Sequence, residues 1–353
     1  MIPHSRPAID HEDLRATAEV LSSGQIAQGP VVERFEREMA GFFSLQGGVA
    51  VSSGTAALEL ALRALRIGAG DEVIMPSYVC SAPWLATQRV GAQATLVDID
   101  LDTFNIDPLA ACQAVTNKTR AIIVPHLFGM PANLTALERL GIPLIEDCAQ
   151  TLGVREQGRP VGTVGRLTVC SFYATKLLCA GEGGMVLSNG GALLERVRSL
   201  REYDGAPALD SSSFNFKLTD LQAALGLSQL GRLPAFHERR RFLAAAYQET
   251  LSSKSAVCPS VPPGRTHGYY RFVVRLPHLR TNPDGLIGLI SRLEQQGIHC
   301  RKPVFRPLHR YLDQSGFPNS DEADRTALSI PLYPDLTGDE VRQIQQSLAR
   351  VLS

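Results

Sequence analysis

Between about residues 47 and 190, short apolar runs alternate with longer stretches whose apolar residues recur every three or four positions. The short runs are typical of buried strands: GVAVSS, DEVIMP, ATLVDI, AIIVPH, IPLIED, LTVCSF and GMVLS. The stretches between them, such as GTAALELALRALR and NLTALERLG, have helical spacing. Strands of continuous apolar character that alternate with helices predict an α/β fold, with a mostly parallel sheet sandwiched between helices.

The pattern changes after residue 190. ALLERVRSLREYD and LTDLQAALGLSQLGRL predict helices, and AFHERRRFLAAAYQETL predicts a further long helix. CPSVPPGRTHG is typical of an irregular segment; YYRFVVRL, GIHCRKPV and two helical stretches, near Leu286–Gln296 and from Gly338, follow it. We therefore predict a large α/β domain over residues 1–235, whose N-terminal segment can pack on the second domain, and a small C-terminal α+β domain over residues 236–353.

Charge and cysteine content narrow the class of protein. Lysine plus arginine and aspartate plus glutamate both number 35, so no global field favours nucleic acid or an anionic membrane. No apolar run approaches the ~18 residues of a membrane span, and MIPHSRPAIDHEDL is unlike a signal peptide. Seven cysteines without a C-x-x-C pair predict neither a disulfide framework nor a metal site, and they favour the cytoplasm.

SSGTAALELAL, from Ser52 to Leu62, joins a predicted strand to a predicted helix. Gly54 permits a tight turn, Ser53 and Thr55 supply hydroxyls, and the first amides of a helix point outward without partners. Such a turn can bind a phosphate, although serine and threonine also cap ordinary helices.

Two further segments place reactive side chains at strand ends. PLIEDCAQ ends an apolar run in Glu146 and Asp147, and SFYATKLLCAGEGGM carries Lys176 between an apolar run and a glycine-rich turn. The carboxyl ends of parallel strands meet at one edge of a sheet, so a phosphate site, a buried carboxylate and a lysine are expected together there. Pyridoxal phosphate requires all three.

With these motifs, the chain resembles the DegT/DnrJ/EryC1/StrS aminotransferases, fold-type-I pyridoxal phosphate enzymes that mostly aminate nucleotide-linked keto-sugars. The resemblance covers almost the whole chain and includes GPVVERFEREMAGFF, VSSGTAALELALRAL, IEDCAQTLG, SFYATKLLCAGEGGM and FNFKLTDLQAALGLSQL. It implies that Lys176 forms an imine (Schiff base) with the cofactor and moves the proton. It also implies that Asp147 pairs with the pyridinium nitrogen and that Gln150 lies beside the ring's phenolic oxygen.

The resemblance assigns the remaining cofactor contacts. Gly54, Thr55 and Ser171 match phosphate ligands, and Asn215 matches an asparagine that reaches the phosphate of a neighbouring subunit. A homodimer with shared active sites is therefore expected. Where the family has an aromatic residue stacked on the cofactor, PSYVCSAP has Cys80, which leaves Cys80, Tyr78 and Trp84 as alternatives for that position.

Three residues are candidates for the substrate side of the pocket. His126 in VPHLFG and His309 in RPLHRY match family positions where a histidine either orients substrate or satisfies a turn, and Glu182 lies in the GEGG turn. The surface near Gln25–Gly29, the loop near Asp204–Ser213 and RKPVFRPLH are expected to influence substrate choice.

The resemblance implies an aminotransferase that moves an amino group from L-glutamate to a keto-sugar, expected to be nucleotide-linked, in amino-sugar biosynthesis. A cyclitol or another ketone remains an alternative acceptor. A dehydratase of the same family would carry histidine in place of Lys176. A non-catalytic regulator that binds the cofactor would usually carry an appended DNA-binding segment, and the chain shows no basic patch to suit one.

Overall fold

The computed structural model of the chain describes residues 1–204, 210–282 and 284–352. Residues 205–209, in the loop expected to influence substrate choice, lie outside the described part, as does the last residue of the predicted second domain.

Within these described ranges, eleven strands form three sheets. In chain order they are β1 (Gly47–Val51), β2 (Glu72–Pro76), β3 (Gln93–Val97), β4 (Thr119–Pro125), β5 (Leu144–Asp147), β6 (Arg155–Glu156), β7 (Arg159–Pro160), β8 (Leu167–Ser171), β9 (Gly184–Ser188), β10 (Phe272–Arg275) and β11 (Ala327–Ile330). The seven apolar runs predicted as strands form one sheet, in the order β1-β9-β8-β5-β4-β2-β3. Its strands are parallel except β9, which runs antiparallel to both β1 and β8. The predicted α/β fold with a mainly parallel sheet is confirmed.

Twelve α-helices accompany the strands in the part of the chain that the structure describes. They are α1 (His11–Ser23), α2 (Pro30–Phe43), α3 (Gly54–Ala64), α4 (Ala82–Arg89), α5 (Pro108–Gln113), α6 (Leu134–Glu138), α7 (Gly191–Arg201), α8 (Asp220–Leu251), α9 (Gly285–Gln295), α10 (Leu308–Tyr311), α11 (Pro318–Thr326) and α12 (Gly338–Val351). Successive side chains of β1 enter different cores: Val49 and Val51 pack with α3 and α7, whereas Ala50 packs with α2. This alternation follows from the period of two along a strand, and it places helices on both faces of the sheet.

A third core lies towards the C-terminus. The antiparallel pair β10–β11 packs with α9, α12 and the second half of α8. Ile2 also belongs to this core and forms a parallel bridge with Ile298, so the N-terminal segment packs there. GIHCRKPV is not a strand: its described backbone joins β11 only through a single bridge between Arg301 and Ser329.

The two helices predicted on either side of Pro234 are one helix, α8, which corrects the sequence prediction. A proline inside a helix removes one backbone hydrogen bond, but it does not end the helix when packing holds the flanking turns. Pro234 is exposed, whereas its neighbours Leu233 and Phe236 are buried. Residue 235, the predicted domain boundary, consequently lies in the middle of α8.

In the part of the chain that the structure describes, no helix is both long enough and apolar enough to cross a membrane.

Candidate active site

A cavity of about 260 Å³ opens at the carboxyl ends of the sheet strands. Nearly all of the predicted site residues line it, namely Gly54, Thr55, Cys80, His126, Asp147, Gln150, Ser171, Lys176 and Glu182. Asn215 and His309 are not among its lining residues. The sheet therefore brings together side chains from five segments that are far apart in sequence.

One wall of the cavity is the N-terminus of α3. The Ser53 hydroxyl accepts from the amide of Ala56 at 3.1 Å, so this serine caps the helix. Gly54 packs so closely on β8 that an added Cβ would lie 2.7 Å from the Ser171 Cβ. The amides of Gly54 and Thr55 belong to the first helical turn, which has no intrahelical acceptors, so they are available to an anion beside the Ser171 hydroxyl.

The neighbouring acids Glu146 and Asp147 occupy opposite faces of β5. Glu146 accepts hydrogen bonds from His126 at 3.2 Å and from three backbone amides, those of Gly162, Val164 and Gly165. Burial acts to raise the pKa of Glu146, but the bonds from His126 and the amides outweigh it, and the net pKa is lowered. Glu146 is therefore an ionised structural residue on the far side of the strand.

Asp147 faces the cavity and has far fewer partners. Its Oδ1 accepts from the amide of Ala149 at 3.0 Å, and the side chain is only 8% exposed. Burial raises the pKa of Asp147, and the Ala149 amide and the positive charge of Lys176 only partly offset this effect. A buried carboxylate in this position is stabilised by a cationic ligand in the cavity.

Gln150 is held in one orientation by the backbone. Its Oε1 accepts from the amide of Phe128 at 2.9 Å, which leaves the Nε2 hydrogens to face other partners. Phe128 has a positive φ of 59°, a conformation that is uncommon for a bulky residue. This contact, which the sequence did not indicate, makes Gln150 a hydrogen-bond donor towards the cavity.

Lys176 lies on a loop and not at the end of a strand, because β8 ends at Ser171. The loop is closed on itself: the amide of Phe172 donates to Gly183, and the amide of Ala180 donates to Phe172. Gly183 and Gly181 adopt positive φ at the base of this loop. Within the described ranges, Lys176 has no carboxylate within ion-pair distance, so its amine can move.

The segment PSYVCSAP contributes one wall of the cavity. Val79, Cys80 and Ala82 line the cavity, whereas Tyr78 is completely buried and stacks on Phe104 in the core. Cys80 is exposed at the cavity surface, but the protein around it raises the pKa of its thiol, so Cys80 offers a neutral surface. Tyr173, which the sequence analysis did not single out, also lines the cavity and is half exposed.

The two candidate histidines are held by the protein. His126 is fully buried; its Nδ1 accepts from the amide of Ala132, so its Nε2 carries the hydrogen directed to Glu146. Donor atoms of His126, Glu146 and Cys148 lie within 4.8 Å of one another, but these hydrogen bonds already occupy both ring nitrogens and the carboxylate. The grouping is thus explained by packing without a metal.

His309 and Asn215 lie elsewhere. His309 is buried, with Nδ1 2.5 Å from the Ser77 hydroxyl and Nε2 3.0 Å from Asp321. Asn215 is exposed on a segment that bridges to β1, and its Oδ1 accepts from the amide of Lys217. Neither residue reaches the cavity within its own chain.

Comparison with known proteins decides the family. The profile of the DegT/DnrJ/EryC1/StrS aminotransferase family matches residues 7–349. The chain belongs to this aminotransferase family.

Individual relatives agree with this assignment over their full lengths. The spore coat polysaccharide biosynthesis protein SpsC of Bacillus subtilis (strain 168) is 32% identical, over 99% of this chain and 97% of its own. Spr1654 from Streptococcus pneumoniae, in its PMP form, has a TM-score of 0.93 at 26% identity, over 99% and 97%. The sugar aminotransferase CalS13 from Micromonospora echinospora has a TM-score of 0.89 at 26% identity, over 99% of this chain and 100% of its own.

As a member of this family, the present chain uses pyridoxal phosphate. The structure of Spr1654 is known in its PLP form as well as its PMP form. The chemistry of the cavity fits that group. The first turn of α3 suits a phosphate, the buried Asp147 has no ion-pair partner among the described residues, and Lys176 supplies an amine in the same space. Because residue 54 is glycine, the first amides of α3 stay open beside Ser171, and we call this site the phosphate cradle. A larger residue at position 54 would fill it.

Proposed function

We propose that this aminotransferase moves an amino group from L-glutamate to a nucleotide-linked keto-sugar in amino-sugar biosynthesis. The observation that carries the proposal is the meeting of Lys176, Asp147 and the α3 N-terminus in one cavity. The sugar is supported by the similarity to CalS13, a sugar aminotransferase, and to SpsC, a protein of spore coat polysaccharide biosynthesis. The glutamate donor and the nucleotide follow from the sequence resemblance.

Each residue at the base of the cavity has a distinct task. Gly54, Thr55 and Ser171 hold the phosphate of the cofactor, and Asp147 keeps a proton on its ring nitrogen. Gln150, oriented by Phe128, donates to the ring oxygen. When bound, pyridoxal phosphate supplies an electron sink for the carbon that gains or loses the amino group. Cys80 forms a neutral wall against the ring.

Lys176 holds the cofactor and moves the proton. Its amine would bind the cofactor in the resting enzyme and, once an amino donor occupies the cavity, would accept the proton from the donor's α-carbon. The closed loop from Phe172 to Gly183 fixes the backbone, while the side chain is free of ion pairs throughout the described segments. A fixed base with a mobile amine suits both tasks.

We place the substrate at the open rim of the cavity, where Glu182 is exposed. His126 and His309 were also predicted to contact substrate. Since both ring nitrogens of each histidine already have protein partners, such a contact would require one of these bonds to break.

The active form in this proposal is a cytoplasmic homodimer in which two chains share each site. Asn215 is exposed and outside the cavity of its own chain, next to Phe214, which is 64% exposed. An exposed phenylalanine beside an exposed asparagine suits contact with a second copy. All seven cysteines are free, as expected for a reducing compartment. Residues 1–235 and 236–353 remain our proposed domains, joined through α8.

The experiment is an absorption spectrum of the purified protein with pyridoxal phosphate, followed by addition of L-glutamate. We expect a visible band from the lysine-bonded cofactor and its replacement by the spectrum of pyridoxamine phosphate. A band that responds to another amine but ignores glutamate would overturn the donor. The absence of any band would overturn the catalytic proposal.

A further inference from the structure

A second, smaller cavity of about 20 Å³ lies on the other side of Lys176. Its walls come from the N-terminal segment, α8, the loop after β8 and the segments around Tyr270 and Leu332. In the described chain, Lys176 is the one residue that lines both this space and the cofactor cavity. The volume is close to that of one water-sized probe, so the space can receive a side-chain amine but not a substrate.

The charge of this second cavity is unbalanced. Arg6, Lys176, Arg240 and Arg271 line it, and its lining within the described residues includes no carboxylate. Arg240 is 4% exposed; its Nη1 donates to three backbone carbonyls, and its Nε has no partner in the described structure. Buried cations are costly without a counter-charge, so a group able to become negative would be favoured here.

Three of these cations converge on Tyr270, whereas Arg6 lies over the ring of Tyr333. The Lys176 Nζ lies 5.4 Å from the centroid of its ring, and the Arg271 guanidinium carbon lies 5.4 Å from the same point. The phenol oxygen is 3.4 Å from the Thr175 hydroxyl, and the carbonyl of Tyr270 accepts from Arg240. A cation over an aromatic face at this range is attracted to the ring.

The other titratable groups of the lining cannot supply the counter-charge. Burial raises the pKa of Cys179 and raises that of Tyr333 to about 12, and burial lowers the pKa of His4 to about 3. Tyr270 differs: burial acts to raise its pKa, but the charges of Lys176 and Arg271 outweigh this and lower it to about 8. Its phenolate is therefore present above about pH 8, and the neutral phenol below.

We infer that Tyr270 is a positioning residue for Lys176, whose amine rests against the Tyr270 ring in the second cavity whenever it is not engaged in the cofactor cavity. This inference rests on the role proposed for Lys176. Lys176 must leave the space of the incoming amino donor and return at the end of each half-reaction. A resting place a few ångströms away shortens that return, and ionisation of the phenol strengthens the hold on the ammonium.

The test compares Tyr270→Phe with Tyr269→Phe in the enzyme loaded with pyridoxamine phosphate, in which Lys176 has no bond to the cofactor. Phenylalanine keeps the ring and its volume but removes the ionisable oxygen. Tyr269 is the matched control, because it is adjacent, stacks on His267 and has a raised pKa. The first readout, independent of activity, is the near-ultraviolet absorption of phenolate as a function of pH.

We expect one tyrosine of the wild type and of Tyr269→Phe to ionise near pH 8, well before ordinary tyrosines at about 10. Tyr270→Phe should lack this early ionisation. Thr175→Val, which removes the hydroxyl beside the phenol, should shift it to higher pH. Identical phenolate curves for the wild type and Tyr270→Phe would overturn the inference.

The second readout is steady-state kinetics. We expect Tyr270→Phe to lose at least about tenfold in kcat, less than the ~100-fold of a full acid–base partner, with KM for the amino donor unchanged within about twofold. The wild-type kcat should fall above about pH 8, because the Tyr270 phenolate retains the Lys176 ammonium. Tyr270→Phe should show no such decrease in kcat at high pH. A wild-type-like kcat and pH profile in Tyr270→Phe would refute the positioning role, provided that Lys176→Ala is inactive. Turnover by Lys176→Ala would instead refute the proposed function itself.

Discussion

The cofactor cavity and the second cavity share Lys176, yet they are built differently. The cofactor cavity is lined by short motifs that follow strand ends, whereas the second cavity is closed by segments more than 300 residues apart, such as His4 and Tyr333. In the first, polar groups such as Asp147 await a ligand; in the second, Arg240 donates to backbone carbonyls of three different residues. The first space is arranged for chemistry, whereas the second joins distant segments and, in our inference, guides one mobile side chain.

The largest expected effect comes from Lys176, where both cavities meet. We expect Lys176→Ala to lower turnover by at least about 10³-fold, because no other amine lines the cofactor cavity within the described residues. The measurement is steady-state transamination together with the visible spectrum. The variant should bind pyridoxal phosphate but lack the band of the lysine-bonded form. Retention of that band would show that another residue makes the bond.

Asp147 and Glu146 are adjacent on β5, but we expect substitutions of the two acids to have different effects. We expect Asp147→Asn to lower kcat/KM by about 10²–10³-fold, in the range of losing one preorganised electrostatic contact. The melting temperature of its cofactor-free form should stay level or rise, since the substitution removes a buried carboxylate with a raised pKa.

Glu146→Gln is the matched control and should behave in the opposite way. It disturbs a carboxylate that accepts from three amides and His126, so we expect a loss of about 2–3 kcal/mol in the free energy of unfolding. Denaturant titration measures this loss. If Asp147→Asn unfolds the protein while Glu146→Gln abolishes catalysis, the assignment of the two acids is reversed.

The sequence predicted the first cavity well for a physical reason. Parallel strands must end at one edge of the sheet, so Gly54, Asp147 and Ser171 were bound to converge once the strands were recognised. The glycine-rich segment GEGG indicated Lys176 as a candidate. Strand β8 ends at Ser171, so the loop that carries Lys176 begins earlier than the sequence predicted. Local patterns sufficed because each motif follows a single strand.

The features that the sequence did not predict depend on contacts between distant segments. Nothing adjacent to His309 indicates Ser77 as its partner, and nothing near Tyr270 indicates Lys176. Pro234 suggested a helix end because a local rule disfavours proline inside helices, yet buried flanking residues keep α8 continuous. The first two contacts have no local signal in the sequence, and at Pro234 tertiary packing overrides the local signal.

A moderate effect is expected at the phosphate cradle. Gly54→Ala would place a Cβ 2.7 Å from that of Ser171, so α3 or β8 must shift. We expect the dissociation constant for pyridoxal phosphate to rise by about tenfold, equivalent to ~1.4 kcal/mol. Equilibrium titration of the visible band measures it.

Gly41→Ala is the control for that substitution. Gly41 is exposed in α2, and an added Cβ would have no neighbour within 4 Å. Alanine there should leave cofactor affinity unchanged and should stabilise the helix by about 0.5–1 kcal/mol. Equal losses of affinity in the two variants would show that the cradle does not depend on Gly54.

The smallest effect on chemistry is expected at Arg240, in the wall of the second cavity. Arg240→Met leaves the carbonyls of Tyr269, Tyr270 and Leu332 without this donor, so we expect a loss of about 2–4 kcal/mol in the free energy of unfolding. Turnover at a temperature where the variant is folded should fall by less than about tenfold, since Arg240 contacts no atom of the cofactor cavity. Arg240→Lys keeps a charge and part of the donor set, so it should recover some of the stability. Denaturant unfolding and kinetics on the same preparations decide the matter: a variant of wild-type stability that has lost turnover would mean that the second cavity serves chemistry directly.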